Sequence, residues 1–195
     1  QRLSAGRAKA ATKFGREVTA AMKELALGGG RFEVSLQPID GGAVQGNETV
    51  EFLVSANPGV EPRSLAKVAS GGELSRISLA IQVIASAASA VPSMIFDEVD
   101  AGIGGAVAEV VGRKLSQLAR SRQVLCVTHL PQVAALADQQ WSVSKSGDGG
   151  RVQSTVTPLD ATARVEEIAR MLGGVDITPT TRKHAKEMLA ARNFR

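Results

Sequence analysis

Ser70-Gly71-Gly72-Glu73-Leu74-Ser75-Arg76-Ile77, followed by Ser93-Met94-Ile95-Phe96-Asp97-Glu98, decides the reading of this 195-residue chain. The first string is a glycine-rich turn opening onto an amphipathic run, which predicts a helix over about 73–89. A serine and two glycines at a helix start leave backbone N–H groups pointing outward, with the positive end of the helix dipole behind them, an arrangement suited to phosphate oxygens. The second string is a short apolar strand ending in two adjacent carboxylates. That placement costs stability unless a cation or phosphate chemistry needs it. Asp97 would hold Mg²⁺ through water, and Glu98 would orient and deprotonate an attacking water. Successive strand residues point oppositely, which would let the two carboxylates do different work. The pair of strings reads as half of a nucleotide-hydrolysis site, because the phosphate-cradling pattern G-x-x-x-x-G-K-[ST] occurs nowhere in the chain.

Outward from these strings, helices alternate with apolar strands. The expected order is a strand at 93–97, a helix at about 105–119, a strand at 123–128 and a short helix near 132–138. Strands that are apolar throughout and separated by helices argue for a parallel sheet buried on both faces. Upstream, Phe32, Val34 and Leu36, then Val50, Phe52 and Val54, alternate with polar neighbours, with Asp40-Gly41-Gly42 and Gly46-Asn47 as turn chemistry. A second hairpin is expected around Gly147-Asp148-Gly149-Gly150, and two late helices at about 161–172 and 179–192 are separated by Gly173-Gly174. Residues 1 to about 27 read as a helix with Phe14, Val18, Met22 and Leu25 at helical spacing, stopped by Gly28-Gly29-Gly30. A chain that opens inside a helix without methionine reads as a piece of something longer.

Composition is that of a globular protein, 44% hydrophobic and 22% charged, with no stretch near the ~18 apolar residues of a membrane span. No secretory leader is evident, and the lone Cys126, in an apolar run, reads as a buried thiol, so the expected location is the cytoplasm. The net charge of +4 sits in residues 1–30, with six basic side chains against two acidic, while the remainder balances at seventeen each. The plain account is a solvated helix face; the sharper one is contact with DNA phosphates. With five Phe, one Trp and no Tyr, a base-stacking platform is not expected.

Three longer strings carry a family resemblance: Leu65-Ala66-Lys67-Val68-Ala69-Ser70-Gly71-Gly72-Glu73-Leu74-Ser75-Arg76, Phe96-Asp97-Glu98-Val99-Asp100-Ala101-Gly102-Ile103 and Val127-Thr128-His129-Leu130-Pro131-Gln132-Val133-Ala134. Ala69 to Glu73 resemble the ABC-type ATPase signature, departing from it at Ala69. Ile95 to Glu98 resemble a Walker B strand with its catalytic glutamate, Val99 to Gly102 the D-loop, and Val127 to His129 the switch histidine. Together they resemble the RecN family of bacterial DNA repair proteins, relatives of the structural-maintenance-of-chromosomes (SMC) ATPases.

The resemblance implies an α/β fold, the C-terminal lobe of an ABC-type ATPase head, with a mainly parallel sheet flanked by helices plus β-hairpins. Residues 1–28 would be the end of a coiled-coil helix and residues 29–195 the lobe. Its cofactors would be ATP and Mg²⁺. Glu98 and His129 would be catalytic, Asp97 would hold the metal, and Ser70, Gly71, Gly72, Glu73 and Asp100 would meet the ATP of an opposing head. Its partners would be the N-terminal lobe that carries the lysine loop, a second head in an ATP-dependent homodimer, and DNA at double-strand breaks, with no membrane. It would sit in the bacterial cytoplasm with the nucleoid. The isolated chain would be inactive.

Plainer readings stand beside these. Ser70 to Gly72 can be an N-cap and tight turn, His129 a hydrogen-bonded structural histidine, and Asp100 a turn residue. Arg76 is expected in a salt bridge or at the surface, and His184 has no assigned role. A non-catalytic dimerisation or DNA-binding platform is one alternative, and a transporter-type nucleotide-binding domain is another. The favoured reading places Asp97, Glu98 and His129 at one sheet edge, with Ser70 to Gly72 opening a helix away from them.

Overall fold

The computed structural model describes residues 1–68, 70–85, 91–148, 151–173 and 176–191. They form two compact units, Gln1–Val127 and Thr128–Arg195.

In the first unit, helix α1 (Arg2–Glu24) packs on an antiparallel sheet of β1 (Arg31–Ala43), β2 (Gly46–Ser55) and the short β3 (Arg63–Ser64). The alternation of Phe32, Val34 and Leu36 with their polar neighbours pairs β1 to β2 from Arg31↔Ser55 to Pro38↔Glu48. Burial of Val18, Met22 and Leu25 against Phe32 and Val54 fixes which face of α1 meets the sheet. Phe14, Phe32 and Phe52 form an aromatic triangle with centroids 5.3–6.1 Å apart. Thr19 Oγ1 docks the helix on the strand, accepting from Phe32 N at 3.0 Å and donating to its carbonyl at 3.3 Å. Gly15 permits that approach, since a Cβ there would lie 3.2 Å from the Phe32 carbonyl. Gly41 and Gly42 do not form the expected turn. With φ of 77° and 72° they absorb a register slip between Pro38 and Ala43, and the strands reverse beyond them, between Ala43 and Gly46.

The rest of this unit is the predicted alternation. Helix α2 (Gly71–Ala85) precedes β4 (Ser93–Phe96), α3 (Gly105–Ala119) and β5 (Gln123–Cys126). The expected extension of α2 to residue 89 lies outside the described residues. Strands β4 and β5 pair in parallel from Ser93↔Gln123 to Phe96↔Cys126. Val99, Ala108, Val111, Leu115 and Leu118 are buried on the helix side. Ile95 and Val127, at 73% and 62%, remain exposed. The parallel part of the fold is thus a single strand pair among the described residues, and the other two sheets are antiparallel.

The second unit holds the single turn α4 (Pro131–Ala134), the hairpin β6 (Trp141–Asp148) and β7 (Arg151–Pro158), and helices α5 (Ala161–Gly173) and α6 (Pro179–Ala191). Gly149, Gly150, Gly174 and residue 192 of the sequence reading lie outside the described residues. Ala134, Ala135, Ile168, Ala169 and Ala185 form its core. Arg164, buried on α5, donates to the carbonyls of Ala134, Ala135, Ala137 and Asp138 at 3.1, 3.4, 2.5 and 3.4 Å, capping the last residue of α4 and holding the segment that follows it. Asp160 caps α5, its Oδ1 accepting from Ala163 N at 2.8 Å, and Thr178 and Thr181 cap α6 reciprocally, ahead of and within a first turn that opens on Pro179.

Candidate functional site

Ser70 is the N-cap of α2. Its carbonyl accepts from Leu74 N at 2.9 Å and its Oγ from Glu73 N at 3.4 Å, which leaves Gly71 and Gly72 in the first turn. The cap and the phosphate-binding readings are therefore compatible. The hydroxyl settles one N–H, and the first-turn N–H groups keep no intrahelical partner.

Strand β4 ends at Phe96, so Asp97 and Glu98 lie in the turn beyond it. Strand alternation does not separate the two carboxylates, as the sequence reading supposed. Glu98 adopts φ 55°, the left-handed region that costs a side-chain-bearing residue on the order of 1 kcal/mol or more. That kink turns Glu98 away from Asp97, whose Oδ1 accepts from Glu98 N at 2.9 Å. Ala101 N closes the turn onto the Glu98 carbonyl at 3.1 Å, with Val99 wholly buried beneath it. Asp97 and Glu98 are exposed, while Asp100 is 2% exposed.

The expected separation between the glycine turn and the carboxylates is absent. A Cβ on Gly71 would lie 2.5 Å from Glu98 Oε2, and one on Gly72 would lie 2.9 Å from Ala101 Cβ. Gly72 is required by the turn that packs on it, while Gly71 faces the end of the Glu98 side chain, whose carboxylate lies over the positive end of α2.

The sequence reading missed two residues here. Arg76, expected in a salt bridge or at the surface, is 7% exposed and donates to the Ala101 carbonyl at 2.7 Å. Burial lowers its pKa, with the Glu73 carboxylate opposing that shift. Ser75 Oγ donates to the Asp97 carbonyl at 2.6 Å. The available signal was spacing: Arg76 stands four residues after Gly72, on the helix face that the glycine opens to close approach.

Cys126, paired with Phe96 on β5, has its thiol pKa pushed up to about 12 by burial and then by Asp100 and Asp97. It is a protonated, unreactive thiol beside the carboxylates. His129 is exposed and belongs to the second unit, beside the Thr128–Leu130 turn in which Thr128 Oγ1 accepts from Leu130 N at 3.1 Å. The first unit therefore brings together Ser70, Gly71, Gly72, Glu73, Asp97, Glu98 and Asp100. No cluster of three metal-ligating side chains occurs among the described residues. Asp97, exposed in the turn after β4, fits Mg²⁺ held through water and nucleotide phosphates, since that ion takes one or two carboxylates and completes its shell elsewhere.

No protein-family model matches the chain. It is 50% identical over 191 residues to the DNA repair protein RecN of Xylella fastidiosa (strain Temecula1), covering 97% of this chain and 34% of that protein. RecN of Haemophilus influenzae is 47% identical over 188 residues, covering 96% and 34%, and RecN of Bacillus subtilis 50% over 145 residues, covering 74% and 25%. The chain spans about a third of the length of the first two relatives. Among solved structures, an SMC head domain with coiled coil and joint from Pyrococcus yayanosii matches at TM-score 0.57 and 22% identity, covering 80% of this chain and 28% of that one. A chain from work on ATP-driven dimerisation and DNA-stimulated activation of SMC ATPases matches at TM-score 0.54 and 20% identity, covering 90% of this chain and all of that one. At such identities the structural likeness speaks for the fold, and the sequence likeness speaks for the family. Along nearly all of its own length the chain matches a C-terminal part of the RecN family of DNA repair proteins, and it has the fold of an SMC head domain.

Proposed function

We propose that this chain is the C-terminal lobe of an SMC-like ATPase head that binds and hydrolyses ATP between two heads, driving DNA binding and tethering in recombinational double-strand break repair. The observation that carries the reading is the juxtaposition in one unit of the Ser70-capped helix start and the kinked Asp97-Glu98 turn. MgATP supplies the reactive γ-phosphate and the charge that the site neutralises. Asp97 holds the metal through water. Glu98 would accept the proton of the attacking water, and His129 would serve as the switch histidine that senses the γ-phosphate. Ser70, Gly71, Gly72, Glu73 and Asp100 cap the ATP of the opposing head, where first-turn N–H groups and the α2 dipole meet the phosphate charge. Residues 1–28 are the end of a coiled-coil helix and residues 29–195 the lobe.

The open β4–β5 pair supports an N-terminal lobe as partner. Parallel sheets are covered on both faces, yet Ile95 and Val127 stand exposed here. That lobe would bring the missing lysine loop, so the isolated chain is expected to be inactive. For DNA, the support is α1. Arg2, Lys9, Arg16 and Lys23 recur every seven residues on the exposed side and form no ion pair with a described residue, whereas Arg7 and Lys13 are paired to Glu48 and Glu17. At 1.5 Å per residue they make a basic stripe about 30 Å long. No helix among the described residues is long and apolar enough to cross a membrane. The proposed location is the bacterial cytoplasm, at the nucleoid.

The test compares Glu98→Gln and Ser70→Arg in the full-length protein. Glu98→Gln keeps shape but removes the base, so turnover should fall ~10²–10⁴-fold while an ATP-bound dimer accumulates. Ser70→Arg should leave ATP binding by each head and prevent dimerisation. Light scattering with ATP decides: two variants that both stay monomeric, or both dimerise, refute the two-head reading.

A further inference from the structure

The turn that carries Asp97, Glu98 and Asp100 is fastened at both ends to α2. Ser75 Oγ holds the Asp97 carbonyl at 2.6 Å, and Arg76 Nη1 holds the Ala101 carbonyl at 2.7 Å. The donors are neighbours on one rigid helix, and the acceptors flank the left-handed Glu98. Arg76 sits there at a cost. Arg76 as a whole is 7% exposed, and its buried Nε has no hydrogen-bond partner among the described residues. A buried cation with an unsatisfied donor is poor value as packing alone, since an apolar side chain of similar volume would fill the space without desolvating a charge. What the guanidinium supplies that a hydrocarbon cannot is the hydrogen bond to Ala101.

We propose that Ser75 and Arg76 are positioning residues that clamp the Asp97–Ala101 turn to α2 and thereby hold the Glu98 carboxylate over Gly71. The inference rests on the ATPase reading above. Neither side chain touches the reacting atoms. Their effect is to make the helix start and the base one rigid body, so that a displacement of Ser70 to Gly72 is passed to Glu98 of the same chain.

The test is steady-state ATP turnover and nucleotide binding by the full-length protein carrying Arg76→Met, Arg76→Lys or Ser75→Ala, alone and with Glu98→Gln. Arg76→Met should lower kcat by about 10²-fold, the loss that follows a misplacement of ~1 Å, with KM for ATP nearly unchanged. Arg76→Lys, whose ammonium can reach the same carbonyl, should restore most of that loss. With Glu98→Gln already present, Arg76→Met should cost nothing further, because both act through one base. Should Arg76→Met fail to fold, Ser75→Ala and Arg76→Lys decide, with a kcat loss of about 10-fold expected for Ser75→Ala and KM again unmoved. The clamp is overturned if the folded Arg76 and Ser75 variants keep wild-type kcat, if their losses appear in KM alone, or if the Arg76 and Glu98 losses multiply fully. Absence of turnover in the unsubstituted protein instead refutes the ATPase reading, and the clamp with it. Normal turnover there with unaffected variants refutes the clamp alone.

Discussion

Gly71→Ala is the smallest change that should disable the proposed base. The added methyl would sit 2.5 Å from Glu98 Oε2, against an ordinary contact of 3.4 Å or more. The carboxylate must therefore retreat by about 0.9 Å, or the turn must rotate away from α2. Rotation is resisted because the Asp97 and Ala101 carbonyls are both hydrogen-bonded to the helix, so the shift falls on the Glu98 side chain. A displacement near 1 Å in a general base lowers turnover by up to about 10²-fold. The assay is phosphate release by the full-length protein at saturating ATP, with binding followed by a fluorescent nucleotide. Gly6→Ala is the control: it lies in α1 with nothing within 4 Å of a Cβ, and should stabilise the helix by about 0.5–1 kcal/mol without altering turnover. If Gly71→Ala retains the turnover of the unsubstituted protein, the carboxylate over Gly71 is not the base, and the argument from that contact fails.

Replacing Arg2, Lys9, Arg16 and Lys23 together by Gln should reduce the slope of log affinity for DNA against log salt by up to about 3.6, since each phosphate contact contributes ~0.9; an unchanged slope removes α1 from the DNA surface. Arg164→Ala should strip four carbonyls of a charge-assisted donor and destabilise the second unit by about 3–5 kcal/mol. Hydrogen exchange over residues 131–141 measures that loss of protection, and protection within ~1 kcal/mol of normal would contradict the capping role. Cys126 should resist alkylation at neutral pH, because its thiol pKa is pushed up to about 12. The folded state keeps this proton while the unfolded chain loses it near its ordinary 9.0, so the contribution of Cys126 is complete below pH 9 and declines from pH 9 toward 12. Urea titrations of the wild type and Cys126→Ala should converge over that range, and parallel curves would refute it.

The helix at 105–119, the two hairpins and the strands at 93 and 123 were legible because their signals are local: alternation, apolar runs and turn residues. Helix α1 was legible on the same ground, through the spacing of Val18 and Met22. The glycine turn and the carboxylates were legible as chemistry, and their separation was misjudged. Nothing local says that Gly71 is small in order to receive Glu98, since the two are far apart in sequence and meet only through the packing of α2 on the turn. Gly41 and Gly42 were misread because positive φ serves a bulge as readily as a turn. Arg76 was misplaced because a charged residue near a helix start is ordinarily solvated, and only its contact with Ala101 buries it. The difference between Asp97 and Glu98 was attributed to strand pleat, whereas it arises from one left-handed residue just past the strand.

The uncovered β4–β5 pair has a consequence for folding kinetics. If the remaining strands and the covering face come from an N-terminal lobe on the far side of a coiled coil, Ile95 and Val127 can be buried only by contacts of very large sequence separation. Loop-closure entropy makes such contacts late and slow, although the helices and hairpins around them form from neighbours in sequence. During that interval the chain presents an apolar parallel edge, a template for pairing with another copy. The step that completes the nucleotide site would then also be the step that ends the period of aggregation risk.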